Sequence, residues 1–120
     1  MSNIAAGKLR HRIRIEKQVT ARDDDGVQST TWQPVHAGTL AAAIEPLSAR
    51  EFIAAGAGQG EVSARIIIRY RAGILASMRA VHVRNGADAE IYNIQGALPD
   101  RESGMEYLTL PVSTGTNEGE

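Results

Sequence analysis

The chain has 120 residues, which is enough for one domain with a single core and too few for two. Its formal net charge is -1 at pH 7, which argues against a dedicated nucleic-acid-binding protein because such proteins are usually strongly basic. Cysteine is absent, which excludes disulfides and thiolate chemistry, and neither a membrane span nor an export signal is visible.

The first predicted strand covers residues 9–19, where apolar and charged residues alternate with period two. Its apolar side carries Leu9, Ile13, Ile15 and Val19, and its other side carries Arg10, Arg12, Arg14 and Glu16. Such alternation is typical of a strand with one buried and one exposed face. The sequence therefore predicts a strongly basic outer face on the first strand.

Two further strands are predicted over residues 27–35 and 39–44, after a turn at residues 23–26 with the sequence Asp-Asp-Asp-Gly. Calcium loops of the EF-hand type place their ligands at alternate positions and end in a Glu. Here the three Asp are consecutive, and Pro34 occupies the position of that Glu. We therefore interpret the acidic segment as a solvated turn.

A short helix is predicted to begin near Ser48. Ser48 as N-cap and Glu51 three residues later form a capping box, and Leu47 and Phe52 are spaced for a hydrophobic staple. The helix should be short because a glycine-rich segment follows it at residues 56–60. The glycines of this segment are Gly56, Gly58 and Gly60. We expect a mobile loop there, which can become ordered on a partner.

Four more strands are predicted over residues 61–71, 78–84, 89–95 and 106–112. Asn85-Gly86 between two of them predicts a type I′ hairpin turn, which needs positive φ at both central positions. We expect one domain over residues 1–120, with an ordered core from about residue 7 to 112 and a flexible polar tail over residues 113–120. Six or seven short strands with one short helix predict a mainly-β fold, a small antiparallel β-barrel or sandwich.

Two rows of arginines and the glycine-rich loop are the candidate partner-binding residues. The first row consists of Arg10, Arg12 and Arg14, and the second of Arg65, Arg69 and Arg71. Each row could be a solvated face balanced by neighbouring carboxylates, or it could meet phosphate or an acidic protein partner. Aromatic residues do not interleave with these arginines, which argues against stacking on single-stranded bases.

The sequence contains no pattern typical of a catalytic, cofactor or metal site. His11, His36 and His82 are far apart and lack metal-ligand spacing, so we expect a structural role for each. The nucleophile-elbow, phosphate-loop, dinucleotide-binding and zinc-protease motifs are missing. We therefore predict that the protein is not an enzyme and binds no cofactor.

Several stretches share their order and spacing with one known family. They are residues 7–13, Gly26 with Trp32, residues 43–52, residues 68–79, and Tyr92 with Ile94. The most specific is residues 43–52, where small apolar residues precede Pro-Leu-Ser and then Arg-Glu. Over roughly residues 5–112 the chain resembles the phage head–tail joining family, whose members are also called head-closure, stopper or head–tail adaptor proteins.

This resemblance implies a small β-barrel that adds as a ring beneath the portal and its adaptor after DNA packaging, closes or lines the exit channel, and offers the tail a docking surface. The implied partners are the portal and adaptor ring, tail proteins and further copies of the chain, with no membrane and with non-specific contact to packaged DNA left open. The implied location is the bacterial host cytoplasm during assembly and then the virion of a phage or prophage. Two alternatives are a tail-completion or tail-terminator ring protein and a small-barrel nucleic-acid-binding module.

Overall fold

The computed structural model describes residues 8–47, 62–100 and 104–114. The described residues form eight β-strands and no α-helix. The strands are β1 His11–Arg22, β2 Gln28–Pro34, β3 Leu40–Pro46, β4 Ala64–Arg69, β5 Arg79–Arg84, β6 Ala87–Ile94, β7 Leu98–Pro99 and β8 Tyr107–Thr114. The helix predicted near Ser48 and the predicted glycine loop of Gly56, Gly58 and Gly60 lie outside the described residues.

The predicted mainly-β fold is confirmed, and each predicted strand overlaps an observed one. The additional strand, β7, has two residues and ends in a proline, so it is too short to show any alternation. At the C-terminal side, β8 runs through Thr114, two residues past its predicted end. Ser113 pairs with Asn93 of β6 and is buried, so residues 113 and 114 belong to the sheet and not to the tail predicted to start there.

Six of the strands form a closed antiparallel sheet. Their order is β1-β3-β4-β8-β6-β5, and β5 pairs back onto β1 at Arg12 to Glu16. Outside this ring of strands, β7 adds to β8 and β2 adds to β1. A closed sheet pairs most of its strands on both sides and so leaves little edge open to unwanted pairing. Among the described residues, β6 pairs only with β5 over residues 87–91.

An aliphatic core fills the inside of the closed sheet. Its fully buried side chains include Ile13, Ile15, Ile66, Ile68, Ile94, Leu110 and Val112. The pattern of β4 shows how the sequence builds it, because Ile66 and Ile68 point inward while Arg65 and Arg69 point outward. Burial of one such aliphatic side chain contributes about 1.5–3 kcal/mol, so the core outweighs any surface ion pair in the stability of the fold.

The hairpin between β5 and β6 has the predicted turn. Asn85 and Gly86 have φ angles of 54° and 79°, and the flanking residues Arg84 and Ala87 pair directly. Two consecutive positive φ angles define the type I′ turn, whose twist matches that of the strands. The register then shifts between His82 and Val83, where a β-bulge accommodates one extra residue of β6.

The strand β1 is shared between the closed sheet and a projecting hairpin. Residues 11–16 pair with β3 and β5, whereas residues 17–22 pair only with β2 among the described residues. We call the hairpin of residues 17–34 the arm. It is largely solvent-exposed, with Val27 at its tip 59% exposed. A lone two-stranded hairpin is marginally stable in water, so contacts at the base of the arm must hold it in place.

The alternating strand directions give the closed sheet two different ends. The arm end carries the arm, the connection from β4 to β5, and the connection from β6 through β7 to β8. The opposite end carries the β5–β6 turn, the start of β1 and the end of β8. Large apolar side chains are exposed on the two connections of the arm end, namely Tyr70, Leu75, Leu98 and Met105. In the part of the chain that the structure describes, the large exposed apolar side chains of the two ends thus lie at the arm end.

Candidate partner-binding surface

The closed sheet brings the two arginine rows onto one side of its outer surface. His11 of β1 pairs with Ala42 of β3, and Ala42 pairs with Ile68 of β4. Arg12 and Arg69 are the next residues along β1 and β4, so they lie level with one another with β3 between them. Because neighbouring strands lie about 4.8 Å apart, the backbones of the two rows are about 10 Å apart. The sequence showed two rows but could not show that they are neighbours.

A small apolar cluster lies between the rows. Leu9, Ala43 and Ile67 are buried together, with Ala41 and Tyr107 packed against them. This cluster explains why Ile67 breaks the alternation of β4, since its side chain is buried on the outer side of the sheet. A shallow depression of about 280 Å³ adjoins the cluster and is lined by Lys8, Arg10, His11, Ala43, Ile44 and Glu45.

One arginine in each row is neutralised by carboxylates. In the first row, Arg14 donates to Glu16 at 2.7 Å and to Asp88 at 3.0 Å. Both bonds raise the pKa of the Arg14 guanidinium above its ordinary value, and the bond with Glu16 contributes more than the bond with Asp88. In the second row, Arg65 donates to Glu45 at 3.1 Å. Arg14 and Arg65 therefore behave as the solvated, balanced charges that one interpretation of the rows expected.

The other arginines keep their charge available. Arg12 donates to the side-chain and backbone oxygens of Thr39 at 2.9 and 3.0 Å, and these oxygens are neutral. Among the described residues, Arg10, Arg69 and Arg71 have no carboxylate within ion-pair distance. We call Arg10, Arg12, Arg69 and Arg71 the free basic surface. Charges of this kind can meet phosphate or carboxylate without first breaking an internal pair.

Glu16 departs from the expectation drawn from the sequence. It points outward as predicted, but it is buried, and its carboxylate accepts hydrogen bonds from Arg14 at 2.7 Å and from Arg79 at 2.8 Å. The Arg79 guanidinium in turn lies 4.3 Å from the centre of the Trp32 ring on the arm. This network of Glu16, Arg14, Arg79 and Trp32, which we call the basal network, joins the arm to the closed sheet. Arg79 was missed because it lies 63 residues from Glu16 in the chain.

The acidic turn at the tip of the arm is held by its own side chain. Oδ1 of Asp23 accepts hydrogen bonds from the backbone N–H groups of Asp25 and Val27, both at 2.9 Å. The backbone N–H of Asp23 also donates to the carbonyl of Val27 at 3.0 Å. The first Asp of the cluster is therefore a turn-stabilising residue.

The three histidines make contacts within the fold. The Nε2 of His36 accepts from the backbone N–H of Ile15 at 3.0 Å, which leaves the ring proton on Nδ1, next to the carbonyl of Ala37. His82 is buried and meets the ring of His11 edge-on at 5.1 Å between centroids. Burial lowers the pKa of His82, and the charges of His11 and Arg84 act in the same direction. Within the described residues, no group of three or more His, Cys, Asp or Glu side chains is placed to hold a metal ion.

Comparison with known proteins decides the family. In the part of the chain that the structure describes, no helix is long and apolar enough to cross a membrane. Residues 4–115 match the family model of phage head completion proteins. The chain belongs to this family. The resemblance to phage head–tail joining proteins is thereby confirmed, and the head completion family gives the chain a structural role in the head–tail region of a phage particle.

Two relatives support the family across nearly the whole chain. The head completion protein gp7 of Enterobacteria phage HK97 is 27% identical over 112 residues, covering 93% of this chain and 97% of gp7. The solution structure of protein SF1141 from Shigella flexneri 2a is 32% identical, with a TM-score of 0.75, and the match covers 96% of this chain and 100% of SF1141. A match of this extent includes the arm as well as the closed sheet.

Proposed function

We propose that the protein adds as a ring of identical copies beneath the portal and adaptor of a DNA-filled head, where it closes or lines the exit channel and presents a docking surface to the tail. Membership of the head completion family is the observation that carries this proposal. The role is structural and not catalytic. Assembly takes place in the host cytoplasm, and the protein then remains in the virion.

The two ends of the closed sheet support a position between two different partners. A joining protein must present different surfaces to the components above and below it, and a ring subunit must also present two different surfaces to its neighbours. The arm end exposes apolar side chains, including Leu75 at 60% and Met105 at 70%. Exposed apolar surface of this kind is typical of protein–protein contacts. The arm end is therefore suited to meet another protein of the connector.

The free basic surface supports contact with a negatively charged partner. Arg12 of β1 and Arg69 of β4 lie level with one another on the outer side of the sheet, and Arg10 and Arg71 adjoin these two strands. None of the four has an internal carboxylate partner among the described residues. Their partner in the particle is an acidic protein surface or the phosphates of packaged DNA. We give Arg14 and Arg65 no part in this role, because Arg14 is paired with Glu16 and Asp88 and Arg65 with Glu45.

A charge-matched pair of variants tests the basic surface. Arg10→Gln with Arg69→Gln removes two free charges, and Arg65→Gln with Arg84→Gln removes two charges elsewhere. Both double variants should fold like the parent, since exposed charges contribute roughly 0–1 kcal/mol each. Only the first should bind weakly to DNA-filled heads isolated without this protein, or allow those heads to lose DNA. Arg14 is left intact because replacing it would disturb the basal network.

The outcomes separate the parts of the proposal. If the Arg10 and Arg69 variant binds heads and retains DNA as well as its control does, the basic surface is only solvated. If the well-folded parent never associates with DNA-filled heads, the joining role itself is wrong. Binding of the free protein to naked DNA with a steep salt dependence would instead favour the nucleic-acid-binding alternative.

A further inference from the structure

The arm has two backbone edges that pair with no other described residue of the chain. Hydrogen bonds from Val35 N–H to Ile15 C=O at 2.9 Å and from Asp23 N–H to Val27 C=O at 3.0 Å mark its two ends. In an antiparallel pair, hydrogen-bonded and non-hydrogen-bonded residue pairs alternate. The odd-numbered pairs between these two ends therefore bond across the arm, and the backbone groups of the even-numbered residues point outward. These residues are Gln18, Thr20 and Arg22 on β1 and Gln28, Thr30 and Trp32 on β2.

The β2 edge lacks most of the features that usually protect an exposed strand, whereas the β1 edge carries two charged residues, Lys17 and Arg22. Sheets discourage edge pairing with bulges, charged side chains, prolines or a covering segment. The β1–β2 pairing is regular throughout its register, β2 carries no charged residue, and its proline, Pro34, stands at the base. Residues 20–31 are exposed along their whole length, so no other described part of the chain covers the arm. The closed sheet leaves only shorter stretches unpaired among the described residues, such as residues 87–91 of β6, so the arm supplies the longer open strands of the described fold.

We propose that the arms of neighbouring copies pair edge to edge, β1 of one copy with β2 of the next, and so form one continuous antiparallel sheet around the ring. This inference rests on the ring proposed above and names the contact that builds it. The two edges are different, so the contact is head-to-tail, as a closed ring requires. Rotational symmetry keeps every β1 in the same direction, so β2 of one copy and β1 of the next run antiparallel like the strands within one arm.

The charges of the arm and the composition of its two faces favour a second copy of the chain as the partner of its edges. Arg22 ends β1 without an ion pair in the described structure, and Asp24 and Asp25 at the adjoining tip likewise lack a cationic partner there. Edge-to-edge pairing puts Arg22 of one arm beside the acidic tip of the next, so the charges are complementary. Both faces of the arm consist mainly of Ser, Thr and Gln, so a sheet of arms can have water on both sides.

Cross-linking tests the pairing directly, because the chain has no cysteine of its own. Thr20→Cys and Thr30→Cys are prepared as separate proteins, since Thr20 and Thr30 face each other within one arm and a double variant would link to itself. Each variant, and an equal mixture of both, is bound to DNA-filled heads lacking this protein and oxidised to form disulfides. A disulfide needs two Cα atoms within about 7 Å, whereas identical residues of adjacent arms lie two strands, about 10 Å, apart. The mixture should give covalent dimers, and each variant alone should give none. Dimers from a single variant would overturn the inference, because like edges would then be in contact.

A proline substitution gives a second, independent measurement. Thr30→Pro removes an outward N–H and no hydrogen bond within the arm, whereas Thr30→Ala keeps that N–H. Both should give the circular dichroism spectrum of the parent, and only Thr30→Pro should lose binding to the heads. If the parent forms a ring on heads but Thr30→Pro does so equally well and the mixture yields no dimers, the arm inference is wrong and the ring stands. If the parent itself forms no ring, the proposed function fails instead.

Discussion

Replacing Glu16 by Gln should weaken the whole protein, because one carboxylate holds two guanidinium groups at the base of the arm. The side chain of Glu16 is 7% exposed, and those of Arg14 and Arg79 are 26% and 22% exposed. A hydrogen bond to a charged group is worth roughly 1.5–3 kcal/mol. Gln keeps one side-chain oxygen, which can still accept one of the two hydrogen bonds. Water can partly solvate the guanidinium group that loses the other bond. We therefore expect the free energy of unfolding to fall by about 2 kcal/mol, below the 3–5 kcal/mol of a fully buried broken pair.

Thermal unfolding of the two matched variants Glu16→Gln and Glu45→Gln measures this effect. For a domain of this size, about 2 kcal/mol corresponds to a fall of roughly 10 °C in Tm. Glu45 bonds to Arg65 but is 38% exposed, so its loss should cost less than about 1 kcal/mol. Amide hydrogen exchange in the arm should also accelerate in Glu16→Gln, because Arg79 then loses the partner that holds it against Trp32. Equal Tm values for the two variants would refute the basal network as the anchor of the arm.

Three further outcomes follow from single contacts. Because burial lowers the pKa of His82, the side chain is protonated more readily in the unfolded chain, so the stability of the fold should be full above about pH 6.5 and decline below it. His82→Leu should therefore show a smaller fall in Tm than the parent between about pH 7.5 and pH 5. A fall equal to that of the parent would contradict this cause. Gly86→Ala should lower the free energy of unfolding, measured by chemical denaturation, by about 1–2 kcal/mol because Gly86 has a φ of 79°. Gly96→Ala should lower it less, because Gly96 has no positive φ and an added Cβ there would contact nothing. Asp23→Ala should lower the free energy of unfolding by about 1–2 kcal/mol and accelerate amide hydrogen exchange at Val27, because it removes the oxygen that accepts from the Asp25 and Val27 N–H groups. Asp24→Ala is the control and should have neither effect.

Local features of this fold could be predicted from the sequence because they depend on neighbouring residues. The type I′ turn follows from Asn85-Gly86, since few other residue pairs accept two positive φ angles. The inward face of β4 follows from the alternation of Ile66 and Ile68 with arginines. Family membership could likewise be predicted from the order and spacing of several short stretches, and the family model matches residues 4–115.

Features that depend on long-range pairing could not be predicted. The period-two pattern of β1 continues past Glu16 to Val19 with only Lys17 as an interruption, yet residues before Glu16 join the closed sheet and residues after it form the arm. Glu16 is buried because Arg79 is its cross-strand partner, which alternation alone cannot reveal. The free basic surface could not be predicted for the same reason, because carboxylates that are distant in the sequence decide which arginines are neutralised. Asp88, for example, lies 74 residues from Arg14.

The continuity of β1 has a mechanical consequence. A pull on the tip of the arm runs along the strand direction and is carried through one unbroken backbone into the closed sheet. There it is opposed by the hydrogen bonds to β3 and β5 on both sides of the strand at once. Bonds loaded together in shear resist far more force than bonds opened one after another, as in the peeling of a hairpin. If tension from a tail or from escaping DNA reaches this protein through the arm, it meets the fold in its strongest direction.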